Sequence, residues 1–157
     1  MNSECLRIAD QLRQAFVGDP WLGPSIRSVL SSVTAEQASS RLTSGTHAIS
    51  ELVAHIDFYV LCAAQAISGV AMPRPYGPYT DWPEVVETAA DAWPSAVAAL
   101  FEHAEELAAE IAAMDDSRLS ETVPGRDYNF YFLLHGVVQH SVYHGGQITL
   151  ITRALGW

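Results

Sequence analysis

Apolar side chains recur at spacings of three and four residues along most of this chain. This spacing places the apolar positions on one face of an α-helix, because the helix turns once every 3.6 residues. Residues 129–154 show the pattern in the stripe Phe130, Leu134, Val137, Val138, Ser141 and Ile148. The alternation of apolar and polar residues that marks a half-buried strand is not found over any length. The sequence therefore predicts an all-α protein.

Four long helices are predicted, over residues 4–17, about 46–68, about 81–114 and about 129–154. A further short helix is expected after Thr34, which forms a capping-box pattern with Gln37. Pro94 is expected to kink or break the third long helix. Four amphipathic helices with two long connections make a four-helix bundle, and the chain length suits a single domain over residues 1–157.

The charge of the chain excludes two classes of partner. Its formal net charge is −10, and only 8 of the 157 residues are Lys or Arg. Because phosphate groups are bound by clustered basic side chains, we expect no nucleic-acid partner and no membrane partner. We expect no apolar stretch that approaches the roughly 18 residues needed to span a bilayer. Cys5 and Cys62 form no disulfide framework, and no secretory segment follows Met1, so we expect a cytoplasmic protein.

The segment HSVYHGGQI (140–148) carries the most specific chemistry in the sequence. His140 and His144 lie one helical turn apart, so their side chains leave the same face roughly 5–6 Å apart. His55 borders the apolar stripe of the second long helix. Three neutral imidazoles from two helices would bind Zn²⁺, Ni²⁺ or Fe²⁺ and leave positions open for water or substrate. The spacing alone is equally compatible with histidines at the surface or the edge of the core.

Several other side chains near this cluster have two interpretations. Glu51 is either a partner for the second ring nitrogen of His55 or a solvated helix charge. Cys62 is either a nucleophile or, more commonly for a lone cysteine, a small buried hydrophobe. Tyr59 is either a proton donor to the site or a core aromatic. His47 lies at the mouth of the site or at a helix end on the surface.

The remaining features concern the periphery of the site. His103 follows an acidic residue in an acidic stretch and is interpreted as exposed, and His135 points elsewhere on its helix. The segment 69–83 contains four prolines and two glycines, so it is not helical. Its aromatic residues Tyr76, Tyr79 and Trp82 suit either a lid or a dimer contact.

The tail HGVVQHSVYHGGQITLITRALG (135–156) resembles the last helix of the DinB family, a group of small bacterial four-helix-bundle proteins. HSVYHGGQI fits each position of that family's closing motif. ISELVAHIDFY (49–59) is similar to the family's second helix, and DPWLGPSIRSVLSSVTAEQA (19–38) to its first connection. The resemblance implies that His55, His140 and His144 bind a divalent metal, often zinc or nickel, and that the protein is a homodimer.

The resemblance also implies a range of functions. Related proteins include thiol-dependent transferases and isomerases that use bacillithiol, mycothiol or glutathione. We therefore expect a metal-dependent transferase that uses a low-molecular-weight thiol and a small-molecule substrate. The alternatives are a metal-dependent hydrolase and a non-catalytic metal-binding protein of the stress response. HSVYH lacks the glutamate of HExxH, which argues against a metalloprotease.

The pocket of such a site is expected to open at the metal, between the second and fourth long helices. Glu51, Tyr59 and Cys62 would form one wall and Gln147 the other. The segment 69–83 would cover it. The paired glycines after His144 would allow close packing of a neighbouring helix or, less favoured, leave room for a bound molecule.

Overall fold

The computed structural model describes residues 3–72, 81–83 and 92–157. These residues form six α-helices and one 3₁₀ helix, and the described part of the chain contains no strand beyond an isolated bridge between Thr122 and Asn129. The α-helices are α1 Ser3–Phe16, α2 Ile26–Leu30, α3 Ala35–Ala38, α4 Ile49–Ile67, α5 Ala92–Ala113 and α6 Phe130–Ala154, and the 3₁₀ helix is Asp116–Ser120. The prediction of an all-α fold is confirmed.

The four long helices form a closed ring. Helices α1 and α4 each pack against both α5 and α6, so α1 and α4 lie across a diagonal. The short α2 rests mainly on α6, and α3 contacts α4 and α5. The centre of the bundle is filled by fully buried apolar side chains, among them Phe16, Ile56, Leu107, Phe130 and Leu134. Because α4 and α6 are neighbours in the ring, their inward side chains meet.

Helix α6 begins where the sequence predicts. The Asn129 side chain caps it by accepting a hydrogen bond of 3.0 Å from the Phe132 N–H. Helix α4 begins at Ile49, three residues later than predicted from Thr46. The Thr46 hydroxyl is used in a turn with the Thr43 backbone, and the Glu51 carboxylate accepts a 3.0 Å hydrogen bond from the Ala48 N–H. The helix starts after that bond.

The predicted start of the third long helix near Asp81 is wrong. Residues 81–83 are not helical, the described helix α5 begins at Ala92, and the positions between them lie outside the described residues. The described helix includes Pro94, so the expected break at this residue is not found there. Most of the segment 69–83, including Tyr76 and Tyr79, also lies outside the described residues.

Of the two short α-helices, α3 was predicted and α2 was not. The capping box is present, with Thr34 N–H bonded to Gln37 Oε1 at 2.9 Å and Gln37 N–H to Thr34 Oγ1 at 3.3 Å. Helix α2 begins after Ser25, whose hydroxyl accepts a 3.4 Å bond from the Ser28 N–H.

The expectation that no apolar stretch approaches the length of a membrane span is wrong for helix α4. With 19 residues, it is long enough and apolar enough on average to cross a membrane, judged by length and composition alone. However, 56% of that window is buried inside the protein, and the helix packs against α5 and α6. These are the ordinary properties of a core helix in a bundle.

Candidate metal centre

The three predicted histidines converge between α4 and α6. One ring nitrogen from each of His55, His140 and His144 lies within 4.8 Å of the others. The Nε2 atoms of His55 and His140 are 3.0 Å apart. His55 and His144 are buried and His140 is half-buried, so the cluster is largely shielded from water. The structure thus brings together the residues that the sequence pattern and the family resemblance suggested.

The proton positions on two of these rings are fixed by their partners. His55 Nδ1 lies 2.6 Å from the backbone oxygen of Asp81. A carbonyl oxygen only accepts, so Nδ1 carries the hydrogen and Nε2 keeps its lone pair. His144 Nδ1 similarly lies 2.7 Å from Gln147 Oε1. Both rings therefore direct an Nε2 lone pair into the cluster.

His140 completes a donor set that fits a divalent ion. Its Nδ1 is buried and has no hydrogen-bond partner among the described residues. Its Nε2 faces that of His55 at 3.0 Å, whereas two nitrogens on a tetrahedral zinc ion stand roughly 3.3 Å apart. A shift of a few tenths of an ångström would seat both nitrogens on one ion. Three imidazoles also leave at least one coordination position for water or substrate.

Burial keeps the imidazoles neutral, as metal ligation requires. Burial, reinforced by the neighbouring rings of His144 and His55, lowers the pKa of His140 to about 3. Burial also lowers the pKa of His55, although the contact with Asp81 acts to raise it. The pKa of His144 is likewise lowered by burial, although the hydrogen bond to Gln147 acts to raise it. Protons therefore compete poorly for these nitrogens at neutral pH.

Asp81 and Trp82 form a strap across the site; a cover from this segment was expected, but the role of Asp81 was not. The backbone oxygen of Asp81 holds His55, and its carboxylate accepts a 2.9 Å hydrogen bond from the Tyr59 hydroxyl. The Trp82 ring stacks between His55 and His47, with ring centroids 3.9 Å and 3.5 Å apart. The one signal in the sequence was the aromatic character of the segment 69–83, which suggested a lid.

Glu51 does not hold His55, which leaves the alternative interpretation of a helix-surface charge. It pairs with Arg41 and lies 3.2 Å from His47 Nδ1. Burial alone would raise the pKa of Glu51, but its bonds to Arg41 and to the Ala48 N–H lower it. The carboxylate that sequence reasoning placed beside the site is thus engaged at the start of α4.

Three further side chains are assigned by their surroundings. Cys62 is buried, and burial raises the pKa of its thiol to about 11, so the structure fits the small-hydrophobe interpretation. The interpretation of His103 as exposed is wrong. His103 is half-buried, and its Nδ1 lies 2.8 Å from the Asp57 carboxylate on α4. His135 lies apart from the cluster, beside the Tyr131 ring and 3.6 Å from the Glu4 carboxylate.

Two cavities flank the cluster, where a single pocket was expected. One of about 240 Å³ is lined by Tyr59, Gly136 and His140, together with apolar side chains. The other, of about 290 Å³, is lined by His47, Gln147 and a set of aliphatic residues. Of the predicted walls, Tyr59 and Gln147 line these cavities, and Glu51 and Cys62 line neither.

The two glycines after His144 have different surroundings. A Cβ atom at Gly145 would lie 3.4 Å from the Ile26 side chain of α2, so this glycine allows the close helix packing that we favoured. A Cβ atom at Gly146 would meet nothing within 4 Å. Only the first glycine is therefore explained by packing.

Comparison with known proteins gives one match. A family model described as the DinB superfamily matches residues 24–148, which include all three histidines. No curated protein and no solved structure matches the chain. The matched segment covers well over half of the chain and ends at the isoleucine of HSVYHGGQI.

Proposed function

The chain belongs to the DinB superfamily, and on that premise we propose that it is a divalent-metal-dependent enzyme that transfers a low-molecular-weight thiol to a small electrophile. One observation carries the proposal. His55, His140 and His144 converge, and two of them present Nε2 lone pairs that are fixed by partners on the opposite ring nitrogen. Zinc, nickel and iron(II) are the metals that suit three imidazoles.

The roles of the residues follow from their contacts. The three histidines would hold the ion and transfer no proton while bound to it. Asp81 and Gln147 orient His55 and His144, as outer partners of metal-bound histidines commonly do. A divalent ion bound there would lower the pKa of a thiol or water in its open position. Tyr59 forms part of the cavity wall next to His140.

The proposed reaction has a simple balance. The thiol releases its proton to the medium, and its sulfur forms a bond with an electrophilic carbon of the second substrate. For a substitution, the leaving group departs with the electrons of the bond that breaks. No oxidant or reductant is required. The cavities beside His140 and Gln147 would hold the substrates.

Metal analysis and cobalt spectroscopy test this proposal. We expect one divalent ion per chain in the wild type and less than stoichiometric metal in His140→Ala and His144→Ala. His103→Ala is the matched control, because that histidine pairs with Asp57 instead of joining the cluster. A double variant of His140 and His144 that retains full metal content would refute the site.

Cobalt-substituted protein then separates the possible functions. A change in the ligand-field spectrum on adding bacillithiol, mycothiol or glutathione is expected, because sulfur would enter the coordination sphere. An unchanged spectrum with all three thiols would remove the thiol hypothesis. Metal binding without response to thiol or hydrolysable ester would instead support the non-catalytic, stress-response alternative.

Metal-dependent hydrolysis is a second candidate, favoured by the position of Asp81. Glu51, one helical turn before His55, is paired with Arg41, but the fold places the Asp81 carboxylate 2.9 Å from the Tyr59 hydroxyl beside the cluster. A carboxylate in that place is suited to accept a proton from water. This alternative would be favoured if the zinc-loaded protein hydrolysed an ester and the Asp81→Asn variant did so at a strongly reduced rate.

We further propose that the protein is a cytoplasmic homodimer. Both cysteines are free and buried, which suits a reducing compartment. Trp82, for which both a lid and a dimer contact were expected, is stacked within the site of its own chain. The exposed apolar face of α6 is a better candidate for the dimer contact, because Phe132, Tyr143 and Leu150 are each more than 60% exposed there.

A further inference from the structure

The cavity beside His140 has apolar walls. It measures about 240 Å³, and its lining includes Met72, Phe132, Leu133 and Val137. Among the described residues, no lining side chain carries a formal charge other than through protonation of His140. An engineered cavity of about 150 Å³ with apolar walls is enough to bind benzene. The cavity therefore has room for a substituted aromatic ring.

The polar groups of the wall are already used within the protein. The Tyr59 hydroxyl donates to the Asp81 carboxylate at 2.9 Å. The Tyr128 hydroxyl donates to the Met72 sulfur at 3.6 Å. A ligand with its own charge would lose hydration in this cavity and gain no ionic partner from the described lining, which is energetically costly.

The charges near the cavity add no ionic partner to its walls. The Asp81 carboxylate accepts the Tyr59 hydroxyl hydrogen, and the positive Arg126 opposes the effect of Asp81 on the pKa of Tyr59. A divalent ion held by the histidines would add positive charge next to His140, so the formal net charge of −10 does not select the ligand. The apolar walls are therefore what favours an uncharged ligand.

We infer that this cavity is the subsite for the electrophile, and that the electrophile is an uncharged molecule with an aromatic or similarly apolar body. This inference rests on the proposed thiol transfer, for which it names the class of the second substrate. His140 forms one wall of the cavity, so a ligand bound there lies against a proposed metal ligand. The thiol, which is polar, would approach from another side of the cluster.

Gly136 provides a direct way to fill the cavity. It lines the cavity on α6, and a Cβ atom at this position would meet nothing within 4 Å. Gly136→Leu would therefore begin its side chain in open space and occupy part of the cavity. Gly146→Leu is the matched control. It is on the same helix, also has open space for a Cβ atom, and does not line this cavity.

Fluorine NMR of zinc-loaded protein measures the binding. The probes are 4-fluorobenzyl alcohol, which is uncharged, and its charged counterparts 4-fluorobenzylammonium and 4-fluorobenzenesulfonate. We expect the alcohol to bind at least about tenfold more tightly than either charged probe. Gly136→Leu should lower the affinity for the alcohol by about tenfold or more, whereas Gly146→Leu should leave that affinity within about twofold of the wild-type value. Cobalt-loaded protein should broaden the fluorine signal of the bound alcohol, because the cavity adjoins His140.

The outcomes distinguish this inference from the proposed function. Equal binding of the alcohol to wild type and Gly136→Leu, or equal binding of a charged probe, would overturn the subsite. An absence of broadening by cobalt in protein shown to contain the metal would also overturn it. The alcohol could bind selectively while the cobalt spectrum stays unchanged with all three thiols. That result would support the apolar subsite and would refute only the proposed thiol transfer.

Discussion

The position of a single proton decides whether an imidazole can bind a metal. A neutral ring carries one hydrogen, so a ligand that uses Nε2 must keep its hydrogen on Nδ1. The backbone oxygen of Asp81 and the side chain of Gln147 provide acceptors for that hydrogen in His55 and His144. The chemistry of the cluster thus depends on two residues that contact no metal themselves.

Replacing Gln147 with leucine should weaken metal binding without removing a ligand. The 2.7 Å contact from His144 Nδ1 to Gln147 Oε1 would be lost, and the ring could then adopt the wrong tautomer or orientation. Loss of such an outer partner typically lowers metal affinity by about 10–100-fold. Zinc competition with a chromophoric chelator measures the change. Gln139→Leu, on an exposed part of the same helix, is the control, and an equal loss in both variants would contradict the prediction.

The metal-free protein should lose stability as pH falls below about 6.5 because of His140. Burial lowers the pKa of this imidazole from 6.5 to about 3 in the folded chain. Between these values the unfolded chain binds the proton and the folded chain does not, so acid favours unfolding. The effect amounts to at most about 1.4 kcal/mol for each pH unit in that window.

Urea unfolding between pH 7 and pH 4 can isolate this contribution. The free energy of unfolding should decline more steeply with acid in the wild type than in His140→Gln, which lacks the buried imidazole. Both proteins must be free of metal, because a bound ion would stabilise the folded state separately. Parallel pH profiles in the two proteins would show that His140 is not held neutral by the fold.

The sequence identified the three histidines and the nearby Tyr59 and Gln147, but not the contacts that Asp81 makes. Helical spacing puts His140 and His144 on one face, and the family resemblance added His55. Asp81 and Trp82, which form the strap, lie in no helix. Asp81 is 26 residues beyond His55 in the sequence. Its placement depends on how the chain between α4 and α5 folds back, and no local pattern specifies that path.

Helix boundaries were predicted best where a side chain caps the backbone directly. Asn129 caps α6 through the Phe132 N–H, and the predicted and observed spans of this helix nearly coincide. The start of α4 was misplaced because Thr46 resembles a cap but bonds within its own turn. Helix α2 was missed because five residues are too few to establish a period.

The neighbouring glycines of α6 should respond oppositely to substitution. Gly146→Ala is expected to raise the free energy of unfolding by roughly 0.5–1 kcal/mol, because alanine has the better helix propensity and its Cβ meets open space. Gly145→Val should lower it by about 1–3 kcal/mol, because a Cβ atom there is already 3.4 Å from Ile26 and a branched side chain needs more room.

Denaturant midpoints of both variants, measured with unchanged m-values, provide the test. If Gly145→Val were as stable as the wild type, α2 would not be closely packed on α6. If Gly146→Ala gave no increase, helix propensity would not limit stability at this position.

The arrangement of the whole bundle explains where the site lies. Helices α4 and α6 are neighbours in the ring of four, so the sequence-distant His55 and His140 reach one another. The same arrangement exposes the outer side of α6, which carries no acidic residue and has Arg153 as its single basic residue. The prediction of one domain over residues 1–157 stays a prediction, and the match to the family covers residues 24–148.

An exposed helix face without acidic residues, on a chain with a net charge of −10, is suited to pairing with its own copy. Phe132, Tyr143 and Leu150 are 65%, 64% and 61% exposed, and their spacing of eleven and seven residues places them on one side of α6. Two copies joined there would bury apolar area without bringing their acidic surfaces together.

We expect the wild type to have the mass of a dimer in light scattering at micromolar concentration. Tyr143→Glu combined with Leu150→Glu should shift it to the monomer, whereas Trp21→Ser, at a 99% exposed position before α2, should leave the dimer intact. A monomeric wild type would contradict the proposed dimer, and a double variant that stays dimeric would place the contact on another face.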